Sequence, residues 1–289
     1  MVDRKKIRCD LAVDMAEFEG LSGKIETENV SGKYGVKRES FAVRSKAEED
    51  KTGLKCGKYV TLTRKNIYPE SDDEKIYFGR CLAKGISDAI NFAGLGGDFS
   101  VLVLGLGNGY MTADALGKRV TEGILTTRKS LKSEKIREVS AYSVGVAGVT
   151  GIDSFEVAKG LVSVVRPDLV IPVDSLCAFR TDRIGRCYQV SSCGIRAGSG
   201  AGKPNENRLD KESLGVPVIA VGVPFVVSAR RLMYDVSGGK GGFDPVSPEE
   251  DMFVTYRDVD AILSECASVI SSAINIALQP KLKAGDIFN

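Results

Sequence analysis

Two aspartates stand where an α/β protein could use them for chemistry. Asp114 lies a few residues beyond the apolar run Val101-Leu-Val-Leu104, and Asp174 closes the run Leu169-Val-Ile-Pro-Val173. Groups at the carboxyl ends of parallel strands share one edge of the sheet, which is where open α/β folds collect their ligands. Two carboxylates in one pocket do not both ionise readily, so one keeps its proton while the other is charged. Such a pair can take a proton from water and deliver one to a leaving amine, with no histidine or metal. The residues alone leave open the alternatives that Asp114 caps a helix and that Asp174 sits in a turn.

The composition narrows the choice. The 289 residues include no histidine, so no Ser-His-Asp triad, Cys-His pair or His-based zinc site can be assembled. The seven cysteines are an odd number without Cys-x-x-Cys spacing, the pattern of reduced thiols in a reducing compartment. With no imidazole to activate them, Cys177 and Cys193 are expected to be packing thiols. A net charge of +2 with scattered Lys and Arg gives no footprint for nucleic acid or a membrane surface. The polar stretch Met1-Val-Asp-Arg-Lys-Lys-Ile7 does not read as a signal peptide. No apolar run approaches the roughly 18–20 residues of a spanning helix. The expectation is a cytoplasmic chain that needs neither cofactor nor metal.

These side chains must be positioned by alternating strands and helices. Val101–Leu104 reads as a buried strand, and the glycines from Gly105 to Gly109 as a tight turn leading into a helix over 115–132. Tyr110 stands where a dinucleotide fingerprint needs its third glycine, so a structural turn is the better reading than a nucleotide site. Helical spacing appears over 73–93, through Ile76, Tyr77, Leu82, Ala83, Ile86, Ile90 and Phe92. Further helices are expected over 152–165 and 259–278, the last presenting Ile262, Leu263, Ala267, Ile270, Ile274 and Leu278 on one face. Strands are expected over 139–144, 169–174, 189–195 and 216–224, with a flexible glycine loop from Gly194 to Lys203. Residues 1–72 suggest peripheral strands and loops, and 235–250 has linker composition before the C-terminal helix. The expected fold is one three-layer α/β/α domain over 1–289, with a mixed, mostly parallel sheet and small peripheral N-terminal strands.

Several ordered motifs then carry a resemblance. Arg8-Cys-Asp-Leu-Ala-Val13, Gly105-Leu-Gly-Asn108, Thr112-Ala-Asp-Ala-Leu-Gly117, Gly145-Val-Ala-Gly-Val-Thr-Gly-Ile-Asp153 and Val173-Asp-Ser-Leu-Cys177 come first. Gly198-Ser-Gly-Ala-Gly202, Ser213-Leu-Gly-Val-Pro-Val-Ile-Ala-Val-Gly-Val-Pro224 and Ile274-Asn-Ile-Ala-Leu-Gln-Pro280 follow. Together they resemble the germination protease (spore protease) family. The resemblance implies an acid-dependent endopeptidase that degrades small acid-soluble spore proteins, made as a zymogen, tetrameric and held in the spore core. Its two essential aspartates carry over to Asp114 and Asp174. Asn108, Gly194, Gly198, Ser199, Gly200 and Lys203 are the expected substrate-positioning residues. The family's Asp-Thr-Gly-Ile-His-Pro-Gly-Ser-Gly loop reads here Ser192-Cys-Gly-Ile-Arg-Ala-Gly-Ser-Gly200, with Lys203 replacing an asparagine. Few residues precede Arg8, so self-activation is expected to differ or be absent. The implied fold is similar to that of hydrogenase maturation endopeptidases, which gives a second reading as a peptidase acting on a metal-loaded partner. A third is a catalytically inactive, protein-binding member.

Overall fold

The computed structural model describes residues 9–129, 136–196, 208–236 and 252–282. The chain begins with α1 (Ala12–Phe18), β1 (Glu26–Ser31), β2 (Val36–Val43), α2 (Lys46–Thr52) and β3 (Gly57–Thr63). It continues through α3 (Asp72–Phe92), β4 (Val101–Leu106), α4 (Leu116–Glu122), β5 (Val139–Gly145), α5 (Ala147–Thr150), α6 (Ser154–Val165) and β6 (Leu169–Ala178). Then come β7 (Cys187–Ser191), β8 (Ile195–Arg196), β9 (Arg208–Leu209), α7 (Lys211–Leu214) and β10 (Ala220–Ser228). The chain ends with α8 (Ala229–Val236), β11 (Phe253–Val254) and α9 (Val259–Leu278).

A nine-stranded mixed sheet runs β1-β2-β3-β7-β10-β6-β4-β5, with β11 pairing to the end of β10. The parallel half is β5, β4, β6 and β10, where strands and helices alternate along the chain. The N-terminal strands extend the same sheet at its far edge through antiparallel pairs from β10 to β7, β3, β2 and β1. Pleat alternation divides the side chains of β4 and β6. Val101, Val103, Leu169, Ile171 and Val173 face the core shared with α3, α4 and α9. Leu102, Leu104, Leu106 and Val170 face α6 and the β9–α7 region. Leu176 and Ala178 lie under α1. Helices thus cover both faces, giving the three expected layers.

α9 is where the helical reading is fullest, since Ile262, Leu263, Ala267, Ile270, Ile274 and Leu278 are all buried. Its length and mean hydropathy of 1.6 would suit a membrane, but two-thirds of its most apolar window is buried in the core. In α3, by contrast, Ile76 and Phe92 are exposed and Phe78 and Ala89 take core positions. The helix expected over 115–132 stops at Glu122. A Cβ on Gly123 would stand 2.7 Å from Ser271 Oγ of α9. Asn275 of α9 then accepts from the Leu125 N–H at 2.9 Å and donates to Gly123 O at 3.0 Å, replacing the next helical turn. The linker reading over 235–250 falls almost wholly on residues 237–251, outside the described ones.

Gly160 lies on the exposed side of α6, and a Cβ there meets nothing within 4 Å. Gly160→Ala is expected to raise stability by about 0.5–1 kcal/mol through reduced backbone entropy of the unfolded chain, measured by urea unfolding.

Candidate active site

The site begins where β4 ends. Gly107 turns the chain with φ +91°, and a Cβ on it would lie 2.2 Å from the main-chain oxygen of Asp114 and 2.8 Å from Asp114 Oδ1. The turn therefore closes directly on the aspartate. Asp114 ends a short 3-10 turn, Thr112–Asp114, and its Oδ2 accepts the Asn108 N–H at 2.7 Å. Asn108 Oδ1 in turn accepts the Tyr110 N–H at 3.0 Å. A Cβ on Gly105 would stand 2.3 Å from Gly117 O, and one on Gly117 would stand 2.3 Å from Leu106 N, so strand end and helix start touch through backbone. That contact, rather than a phosphate, is what the glycines serve. α4 has no side-chain cap, which removes the helix-cap alternative for Asp114.

Asp174 is not a terminal residue. It lies inside β6, which continues to Ala178, so the turn alternative fails as well. Its strand neighbour on β10 is Gly222, whose own neighbour on β7 is Gln189. On its other side β4 pairs only as far as Gly105 with Val173. Asp174 is the first residue of β6 beyond that departure, at the opening between strands. Asp174 Oδ1 accepts the Ser175 N–H at 2.9 Å, and the residue is only 6% exposed.

The electrostatics of the two acids are unequal. Burial raises Asp114, which is half-buried, against the lowering effect of the Asn108 N–H. Burial raises Asp174 much further, and the charges of Asp114 and then Asp10 add to it. The coupling falls on the more deeply buried acid, Asp174. Sequential ionisation explains this: Asp114 loses its proton while Asp174 is still neutral, and Asp174 must then ionise beside an existing charge. Asp174 is therefore the member of the two whose ionisation is the more strongly opposed.

The other expected site residues fare differently. Asn108 is brought to Asp114, where its backbone and side chain both build the turn. Gly194 adopts φ +75° at the start of the glycine loop, with a Cβ position 2.0 Å from Leu209 O, so it packs on β9. Gly198, Ser199, Gly200 and Lys203 lie outside the described residues. All seven cysteines are free. Cys177 is buried, and Cys193 Sγ contacts Tyr59 OH at 2.9 Å and Ser191 Oγ at 3.1 Å, with burial pushing its thiol up. Arg180 pairs with Asp182 at 2.8 Å. Among the described residues no group of three Cys, Asp or Glu side chains is placed to hold a metal ion.

Residues from the N-terminal segment also reach this region. Asp14 Oδ2 accepts the Phe179 N–H at 2.8 Å, and its Oδ1 lies 2.9 Å from Arg183 Nη1. Burial outweighs the arginine and raises Asp14 to about 6. No spacing rule could have linked these residues to β6, because their contacts join opposite parts of the chain.

The sequence pattern of the germination protease family matches residues 9–237. The chain belongs to the germination protease family. It is similar to the germination protease of Caldanaerobacter subterraneus subsp. tengcongensis, with 35% identity over 96% of this chain and 95% of that one. The Bacillus subtilis germination protease is 34% identical over 81% of this chain and 67% of its own length. A solved [NiFe] hydrogenase maturation protease from Thermococcus kodakarensis KOD1 overlays 66% of this chain and 98% of its own, with TM-score 0.37 and 17% identity. Membership in the germination protease family makes the protein a peptidase.

Carboxyl-carbon NMR titration is expected to reveal the inequality of the pair. Asp114→Asn should move the Asp174 titration to lower pH, whereas Asp174→Asn should leave Asp114 nearly where it was; equal mutual shifts would contradict sequential ionisation. Asp14 gives a stability prediction with a definite sign. Its folded value of about 6 lies above the unfolded one, so the folded state binds the proton more tightly. Its contribution is present below the unfolded value and lost as pH rises through about 6, by about 3 kcal/mol in total. Urea unfolding across that window should show the fall, flattened in Asp14→Asn.

Proposed function

We propose that the protein is an endopeptidase that degrades small acid-soluble spore proteins during germination, with Asp114 and Asp174 activating water. The observation that carries this reading is the pairing of a half-buried Asp114 with a buried Asp174 whose ionisation the first one opposes. Charged Asp114 accepts a proton from water as the water oxygen bonds to the peptide carbonyl carbon. Protonated Asp174 donates to the carbonyl oxygen as it gains charge. Collapse of the tetrahedral species breaks the carbon–nitrogen bond, with the leaving amine taking a proton from the acid pair. The hydroxyl made from the carbonyl oxygen returns its proton to Asp174 as the carboxyl product forms, so two protons enter the pair, from water and from that hydroxyl, and two leave it, to the carbonyl oxygen and to the amine, which restores the starting state.

The substrate class is the one that the resemblance to the germination protease family implies, and an unstructured chain suits an active site at a sheet opening. The glycine loop from Gly194 to Lys203 would position the substrate backbone, in a cytoplasmic, spore-core protein assembled as a homo-oligomer. The expected partner is the substrate itself, and the chemistry written above requires no cofactor.

The test uses a purified small acid-soluble spore protein and the full chain. Asp114→Asn and Asp174→Asn should each lower kcat by about 10²–10⁴-fold or more while the proteins remain folded, since each removes one half of the acid/base exchange. Full activity in either variant would sink the mechanism. Stable substrate binding with no turnover in the wild type at any pH would instead make it a binding member of the family.

A further inference from the structure

Two cysteines far apart in the chain meet where β3 begins and β7 ends. The antiparallel pairing of these strands reaches Tyr59 with Ser191 and continues one residue further: the Ser192 N–H donates to Lys58 O at 3.0 Å, and the Lys58 N–H donates to Ser192 Oγ at 2.9 Å. Cys193 therefore stands opposite Gly57, with Cys56 next along the chain. A Cβ on Gly57 would lie 2.7 Å from Cys193 Cβ and 2.9 Å from its Sγ. The same sulfur is 3.8 Å from Lys55 O, which belongs to the peptide unit leading into Cys56. Covalent geometry then keeps it within about 7 Å of the Cys56 Cα. The Cys193 thiol thus lies against the backbone on both sides of Cys56, and Gly57 puts no side chain between them. Cross-strand neighbours have Cα atoms about 4.5–5.5 Å apart and the next residue is slightly further, within the roughly 4.4–6.8 Å span of bridged cysteines.

We propose that Cys56 and Cys193 form a reversible disulfide, made by exchange with a low-molecular-weight disulfide. Among the described residues Cys56 is the only exposed cysteine, which makes it the point of entry. Its N–H donates to Glu49 Oε2 at 3.4 Å. Desolvation and the Glu49 carboxylate hold the Cys56 thiol above its ordinary value, and burial does the same for Cys193, so exchange is slow and quickens as pH rises. The Cys56 sulfur, having lost its proton, bonds to one sulfur of the small disulfide, whose S–S bond breaks to release the first thiol. The Cys193 sulfur then bonds to the Cys56 sulfur and displaces the second. Two protein thiols lose two protons and two electrons, and the small disulfide takes up both as it becomes two thiols. Tyr59 OH loses its contact with the Cys193 thiol but still donates to Lys55 O at 2.8 Å, so no buried hydroxyl is orphaned. The bond would tie the start of β3 to the residue before Gly194, where the glycine loop begins. It does not depend on the peptidase reading.

The test incubates the full chain with oxidised glutathione and counts thiols after denaturation. The count is expected to fall from seven to five, with the Cys56 and Cys193 peptides joined in the mass spectrum and released by dithiothreitol. Cys193→Ser should instead retain one glutathione at Cys56, because the second exchange has no thiol to complete it. Urea unfolding should show the oxidised wild type with its midpoint raised by about 1 M, a gain absent from Cys56→Ser given the same treatment. Glutathione remaining on Cys56 in the wild type, or Cys56 and Cys193 recovered on separate peptides, would overturn the proposal. Loss of the two-aspartate mechanism would leave all of these outcomes unchanged.

Discussion

The site depends on a backbone contact that only glycine permits. Gly107 lies so close to Asp114 that a methyl group would meet both its main-chain and side-chain oxygens. Gly105 and Gly117 bring the end of β4 and the start of α4 into backbone contact in the same way. Between them, the turn has little freedom in where it sets the Asp114 carboxylate, and the Asn108 N–H fixes one of its oxygens. Interior packing of this density transmits displacement rather than absorbing it, so the position of the acid is set by the meeting of strand and helix.

The second constraint is the change of pairing along β6. Its first half is flanked by β4 and its second half is fastened to the N-terminal segment. Asp174 occupies the changeover, where a buried strand interior comes within reach of a turn. A strand interior supplies the low dielectric that keeps a carboxylic acid protonated, and an opening supplies access. Either alone would give an inert buried acid or an ordinary surface carboxylate.

Burying these acids costs stability. Asp14, Asp114 and Asp174 are all raised by desolvation, Asp14 even with an arginine beside it. The surrounding core offsets that cost, chiefly through α9, whose apolar side closes the layer over β4, β6 and β10. Thr112 of the Asp114 turn also donates to Asp260 of α9 at 3.0 Å, so the helix that completes the core helps to hold the turn.

What the residues by themselves determined was local. The apolar runs at β4 and β6, the glycine turn, the periodic face of α9 and the lack of histidine were legible because each depends on residue type and short spacing. They sufficed to offer Asp114 and Asp174 as candidates and to foresee a mixed sheet between helical layers. Only the tertiary structure decided that β6 runs past Asp174, because its continuation is held by β10 and by the segment at Asp10 rather than by a strand-like pattern ending at Val173. It likewise decided the early end of α4, where Asn275 of a distant helix takes the hydrogen bonds another turn would have made. Asp10 belongs to the same class. Its bonds to the Cys177 backbone are long-range hydrogen bonds, whose partners no periodicity in the chain can specify.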